Sequence, residues 1–279
     1  MHPVVSIVIP AHNEEAVIRD CLGRLLEGTA PGEFDVVVVA NACTDRTAEV
    51  VTGFGVRVLR TPAPGKPNAL RIGDEVCRVF PRVYLDADVA ITADSIRRLV
   101  EAAGRPGILA CAPLPELDLA GVGPVAMRLH RVHEQLVAPH RALAGAGVYL
   151  LTEQGHARVF PVPDVISDDG WVHGSFGRAE RAVVRQARSV VRPARTVAAH
   201  LRRRVRVRQG NRQLAELGRL PAEGRLTLRA LLALLARRTV SPLDATCYLA
   251  VLVADRSVTR ARSRRGGQIR WGTDVSSRR

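Results

Sequence analysis

The stretch Val83-Tyr84-Leu85-Asp86-Ala87-Asp88-Val89, "VYLDADV", runs an apolar segment directly into two carboxylates separated by one small residue. The apolar part reads as a buried strand. An unpaired carboxylate inside a core carries a large desolvation cost, so Asp86 and Asp88 belong at the strand's exit, where something positive can meet them. Two acids at i and i+2 on a chain leaving a strand can bind a divalent cation that phosphate groups also hold, and hard oxygen ligands suit Mg²⁺ or Mn²⁺. The bland alternative is a turn with a helix-capping aspartate.

The same figure, an apolar run with a polar exit, recurs upstream. "VVSIVIP" reads as a strand stopped by Pro10 and followed by "AHNEE". A helix follows, with Val17, Ile18, Cys21, Leu22, Leu25 and Leu26 forming one apolar stripe and Gly28 after its end. "FDVVVVA" ends in "NACTDRT", where Thr44 or Asp45 is expected to cap a short helix. "VRVLR" is a third strand. After it, "PAPGKPNAL" places Lys66 at the start of a helix, where free backbone N–H groups favour an anion. P-loop spacing is missing there. Taken singly, Asn13, Asn41 and Asp45 are ordinary cap and turn residues, and Lys66 is as readily a solvated side chain as a phosphate contact.

Strands separated by helices imply an α/β sheet, largely parallel, which binds ligands at the carboxyl ends of its strands. Beyond Ala93 the alternation loosens: a helix over 94–104, the strand "GILACAP", a helical region near 125–137 and the irregular, acidic "DVISDDGWV". An Arg-rich helix is expected from about Pro193 to Leu217, and an apolar one in "LTLRALLALLARR". The division expected is 1–217 for the main domain and 218–279 for a basic helical extension with a disordered tail.

The chain has 279 residues and a net charge of +14, unevenly spread. Residues 1–177 hold 16 basic and 21 acidic side chains, a net of −5, whereas residues 178–279 hold 25 and 6, a net of +19. Lys66 is the sole lysine; the other basic residues are arginine. The second half therefore calls for an anionic partner. Five scattered cysteines without a C-x-x-C pair point to a reducing cytosol. No secretory signal is evident, and the apolar "ATCYLAVLVA" is too short to span a bilayer.

Together, "SIVIPAHNEE", "VVVVANACTDRTAEVV", "GKPNAL" and "YLDADV" resemble, in order and spacing, the family 2 glycosyltransferases. That resemblance implies a GT-A fold, a mixed and mostly parallel sheet flanked by helices, and a nucleotide-diphospho-sugar donor. Pro10, Ala11, Asn13, Glu14 and Asn41 would line the nucleoside pocket, and Asp86 and Asp88 match the metal- and diphosphate-holding D-x-D motif. Many members carry two acids where Ala40 and Asn41 stand here, which leaves the base open between uridine, the default, and guanosine. Less closely, Asp168 and Asp169 match the family's acidic catalytic pair, the second acid being the general base of inverting members. Repulsion between the neighbouring acids is expected to raise one pKa. In "LRRRVRVRQGN", Arg203 and Arg206 fall on a segment that in processive members carries Gln and Trp, both missing here. A single sugar transfer is therefore the better reading, with Arg206 and Arg203 neutralising the departing diphosphate. Some GT-A enzymes use a late histidine as a third metal ligand, for which His173 and His200 are candidates, but lone histidines are more often structural. Trp171 would either stack on an acceptor or anchor a lid.

The leading expectation is thus a cytoplasmic, metal-dependent, inverting glycosyltransferase acting on an acceptor hydroxyl. Its Arg-rich half would contact anionic membrane at the inner face. A sugar-phosphate nucleotidyltransferase is disfavoured because "PAHNEE" lacks the Gly-rich, Arg-containing loop such enzymes carry. A nucleic-acid-binding protein is disfavoured by the 4% aromatic content, so no specific nucleic acid is expected.

Overall fold

The computed structural model describes residues 2–219 and 227–263. The disordered tail expected after the last helix lies outside these residues.

Four strands form a parallel layer in the order β3-β2-β1-β4: β1 (Val5–Ala11), β2 (Phe34–Asn41), β3 (Arg57–Thr61) and β4 (Arg82–Leu85). The valines and isoleucines of β1, β2 and β4 are buried because helices cover the sheet, α1 (Ile18–Leu26), α2 (Thr47–Thr52) and α3 (Lys66–Glu75), while Val58 of β3 at the sheet edge is half-buried. In α1 the stripe Ile18, Cys21, Leu22 and Leu25 is the buried face. The N-cap position of α2 is Arg46 rather than Thr44 or Asp45, although Asp45 Oδ1, one residue earlier, accepts from Thr47 N at 3.0 Å. Gly73 lets α3 lie close on the sheet, since a Cβ there would meet Val8 Cγ1 at 2.5 Å. That approach holds the start of α3, and Lys66 with it, over the end of β4.

Beyond β4 the sheet becomes mixed. β7 (Val148–Leu151) pairs antiparallel with β4 and with β6 (Ala110–Leu117); β8 (Arg181–Val191) runs parallel to β6 and antiparallel to the two-residue β5 (Ala90–Ile91). Helices α4 (Ala93–Ala103), α5 (Pro124–Val137), α6 (Glu153–Val159) and α7 (Asp168–Gly174) punctuate this half. α8 (Val197–Glu216) packs against α7, and α9 (Leu228–Ala236) and α10 (Pro242–Ser263) follow it. α9 and α10 lie on the body of the molecule: Leu231, Val240, Ala245, Tyr248 and Val251 share a second core with Leu129, Val132 and Leu136 of α5.

Candidate active site

The polar exits of β1, β2 and β4 converge at one edge of the sheet. The loop after β1 is tied to the loop after β2, with Asn13 Oδ1 accepting from Thr44 N at 2.8 Å and Glu14 N donating to Thr47 Oγ1 at 2.8 Å. Asn13 takes a positive φ of 54° and Ala42 one of 48°. Outside glycine, such strain gathers where a loop must hold a set shape. His12 Nδ1 donates to Asn41 O at 2.7 Å.

Leaving β4, the chain turns under the control of Gly147. Asp86 N donates to Gly147 O at 2.8 Å, and a Cβ at Gly147 (φ 67°) would meet Val89 Cγ2 at 2.4 Å. The turn delivers Asp86 and Asp88 to a cleft of about 420 Å³. Pro10, Glu14, Lys66, Asp86, Asp88, Asp168, Asp169, Arg203 and Arg206 all line it. Nine of the residues expected from the sequence therefore share one cavity. Ala11, Asn13 and Asn41 are not among its lining residues. His12 and Gly145, which sequence reasoning passed over, are. The only sign of Gly145 in the sequence was the glycine-rich "GAG" at 145–147.

Lys66 joins the two acid motifs. Its Nζ lies 2.6 Å from Asp86 Oδ1 and 2.8 Å from Asp168 Oδ1. Burial disfavours the ammonium, but the charges of Asp168, Asp86 and Asp169 outweigh it and hold the lysine pKa above its usual range. Asp86 shows the opposite balance. Burial, helped by the nearby charges of Asp168 and Asp88, pushes its carboxyl up to about 6 in spite of Lys66.

Asp169 departs from the expectation that repulsion would raise a pKa within the adjacent pair. Burial favours the protonated form, yet Lys66 and three hydrogen bonds hold its carboxyl below the ordinary range. Oδ1 accepts from Ser167 Oγ (2.8 Å) and Gly170 N (2.7 Å), while Oδ2 accepts from Gly145 N alone (3.0 Å). The lysine between the motifs neutralises the repulsion that sequence adjacency suggested. Asp168, 3% exposed, anchors Lys66 from below.

Arg203 and Arg206 reach the cleft because α8 is seated on the acid loop, where Ile166 N donates to Gln213 Oε1 at 2.9 Å. Trp171 has the anchoring role: its Nε1 donates to Val159 O at 3.2 Å, and Arg219 lies over its ring. His200 packs edge-on against His130 at 5.6 Å. Among the described residues, no three His, Cys, Asp or Glu side chains form a metal-binding group. Asp86 and Asp88 alone fit Mg²⁺ or Mn²⁺, which commonly bind through one or two carboxylates and complete their shell with water and substrate phosphates. The cationic Lys66 on Asp86 already marks where positive charge is wanted.

Residues 6–122 match the family model "Glycosyl transferase family 2". The chain is 26% identical over 128 residues to "Uncharacterized glycosyltransferase EpsJ" of Bacillus subtilis, covering 44% of this chain and 34% of that protein. It is 29% identical over 122 residues to the 4,4'-diaponeurosporenoate glycosyltransferase of Staphylococcus aureus, covering 40% and 32%. The matched stretch thus spans about a third of each relative. In three dimensions the chain is similar to the mannosyltransferase PcManGT of Pyrobaculum calidifontis, solved with GDP-Man and Mn²⁺. The TM-score is 0.62 at 19% identity, over 96% of this chain and 77% of that one. It is also similar to glucosyl-3-phosphoglycerate synthase of Mycobacterium tuberculosis, solved with Mn²⁺, UDP-glucose and phosphoglyceric acid. There the TM-score is 0.54 at 20% identity, over 78% and 81%. At these identities the structural likeness is one of fold. Residues 6–122 thus match the glycosyl transferase family 2 model, and the chain built around them has the GT-A fold.

Proposed function

We propose that this chain transfers a single sugar from a nucleotide-diphospho-sugar to an acceptor hydroxyl, with inversion at the anomeric carbon and with a divalent cation. The observation that carries the reading is the Asp86–Lys66–Asp168 bridge in the wall of a cleft that Arg203 and Arg206 also line. Cations lining one cavity suit a diphosphate, and an acid pair beside them suits a proton acceptor.

Asp86 and Asp88 would hold Mg²⁺ or Mn²⁺, which supplies positive charge to the diphosphate. Asp169 is the general base. Held ionised, it takes the acceptor hydroxyl's proton at Oδ2, the oxygen bonded to one backbone N–H, while Oδ1 is fixed by two donors. Arg203 and Arg206 stabilise the leaving nucleoside diphosphate, and their fixed forks need no reorganisation as charge develops there. Asn41 is 1% exposed, and neither its amide nitrogen nor its amide oxygen has a protein hydrogen-bond partner. A buried amide with both ends unsatisfied is costly; Asn41 lies outside the cleft lining, and its assignment to the base edge rests on the family resemblance. Pro10, Ala11, Asn13 and Glu14 shape the nucleoside side of the site. We assign the transferase domain to residues 1–217 and a C-terminal extension, which includes α9 and α10, to 218–279. Five unpaired cysteines favour a cytosolic setting.

The test is incubation with UDP- and GDP-sugars, Mn²⁺ and simple hydroxyl acceptors, with proton NMR of the product's anomeric configuration. A metal-dependent product of inverted configuration is expected. A retained configuration removes Asp169 as the base.

A further inference from the structure

Every exposed leucine of the described residues lies between positions 217 and 249, and four sit on the α9–α10 hairpin: Leu228, Leu232, Leu243 and Leu249. They are not spare residues of a loosely packed pair. α9 and α10 already bury an inner face, Leu231 with Ala245, Tyr248 and Val251, against α5. The four leucines are therefore apolar side chains left in the open on helices whose inner packing is already made. Leu228 and Leu232 are one turn apart on α9 and 63% and 56% exposed. Leu243 opens α10 at 55% exposure.

The charges on this hairpin are sorted by side. Arg229, Arg237 and Arg238 are exposed. The two acids within residues 227–255 are both turned inward. Asp244 pairs with Arg128 of α5 at 2.6 Å, and Asp255, 4% exposed at its side chain, pairs with Arg208 of α8 at 2.5 Å. The outward surface is left with leucines and arginines and no carboxylate from that stretch. Exposed leucines beside unneutralised arginines are the composition of a helix that lies in a bilayer interface, its apolar side among the acyl chains and its cations among anionic headgroups. No helix of the described residues is long and apolar enough to cross a membrane, so contact through these residues is peripheral.

We infer that the α9–α10 hairpin is a docking surface for a bilayer containing anionic phospholipid. α8 packs on α10 and also supplies Arg203 and Arg206 to the cleft, so docking holds the transfer site near the lipid surface. An amphiphilic acceptor anchored in the same bilayer is the substrate class this arrangement serves.

The experiment is sedimentation of the full chain with vesicles of phosphatidylcholine alone or mixed with phosphatidylglycerol, without nucleotide, so that its outcome is independent of donor chemistry. Binding is expected to the mixed vesicles at low salt, with little to the neutral ones. The triple variant Leu228→Ser/Leu232→Ser/Leu243→Ser should lose binding by at least tenfold, as order of magnitude, given the apolar area withdrawn. Its circular dichroism should match the parent, because all three side chains are exposed. Arg237→Glu/Arg238→Glu should also weaken binding, and high salt should mimic it. No binding of the parent to mixed vesicles overturns the inference. Undiminished binding of the leucine variant does so too, since it would reduce the contact to charge attraction that any basic surface offers.

Discussion

Two ionic clusters hang from the same pair of elements, α3 and β4, and they differ in what encloses them. At one end Asp74 of α3 accepts from Tyr84 Oη and Arg82 Nη1, each at 2.6 Å, and lies 2.8 Å from His156 Nε2. Phe160 stacks on that histidine at 4.5 Å, and Arg82 lies over Phe80 at 4.2 Å. At the other end Lys66 of α3 meets Asp86, just past β4, and Asp168 of α7. The first cluster is roofed by aromatic rings, and its acid is satisfied on both oxygens. The second opens on a cleft of about 420 Å³ and has charge to spare. The same helix–strand unit is clamped at one end and left receptive at the other. Buried polar groups that are fully satisfied rigidify a fold, whereas those facing a cavity with surplus charge mark a site for chemistry.

The comparison can be broken most sharply at Asp169. Asp169→Asn keeps the side chain's size but removes the base, so transfer should fall about 10²- to 10⁴-fold, the usual scale for a general base, with nucleotide affinity changed little. Equal loss of affinity and rate would move Asp169 to the structural side. At the clamped end the order reverses. Asp74→Ala strands Arg82 and His156 without their acid and should cost about 3–5 kcal/mol in denaturant unfolding, with near-normal activity per folded molecule. A stable but inactive Asp74 variant would erase the distinction between the two ends.

Lys66→Met tests the bridge itself. Asp86 and Asp168 would then face each other without the ammonium, and thermal stability should fall. Mn²⁺ should raise the melting temperature of this variant more than that of the parent, because the metal restores the missing charge. An identical response of the two proteins to Mn²⁺ would mean Lys66 is not standing where positive charge is needed.

The smallest effect concerns acid. Burial comes first among the causes that lower His200 to about 3 and His133 to about 4, with neighbouring arginines and His130 adding to it. Their folded pKa values lie below the unfolded value near 6.5. The unfolded chain therefore binds more protons, and stability is lost as pH falls from about 6.5 towards 4. Asp86, raised to about 6, works in the opposite direction over part of that window. Asp74, held low by His156, Tyr84 and Arg82 against its burial, withdraws its contribution only below the ordinary carboxylate range. Urea melts of His200→Gln against the parent should show a shallower decline between pH 6.5 and 4. Parallel declines would remove His200 from the account.

The parallel layer was legible because strands buried on both faces must be continuous apolar runs, as in "VVSIVIP" and "FDVVVVA". Polar residues at their ends then had to meet at one edge, and five of the nine expected residues that line the cleft, Pro10, Glu14, Lys66, Asp86 and Asp88, come from those ends. β7 and β8 were harder. "VYLL" is short and lies between a glycine-rich turn and a helix, and β8 carries Arg181, Arg185 and Arg188 among its valines. The Asp86–Lys66–Asp168 bridge was invisible in principle, since it joins residues 20 and 102 positions apart through the packing of α3 and α7. For the same reason adjacency of Asp168 and Asp169 misled: a lysine from elsewhere in the chain reverses the expected electrostatics.

Calorimetric titration of UDP and GDP, with and without Mn²⁺, into the parent and the Asp88→Ala variant tests the central claim most directly. The account predicts binding of one nucleoside diphosphate that requires Mn²⁺ and vanishes in the variant. Metal-independent binding that the variant retains in full would contradict it.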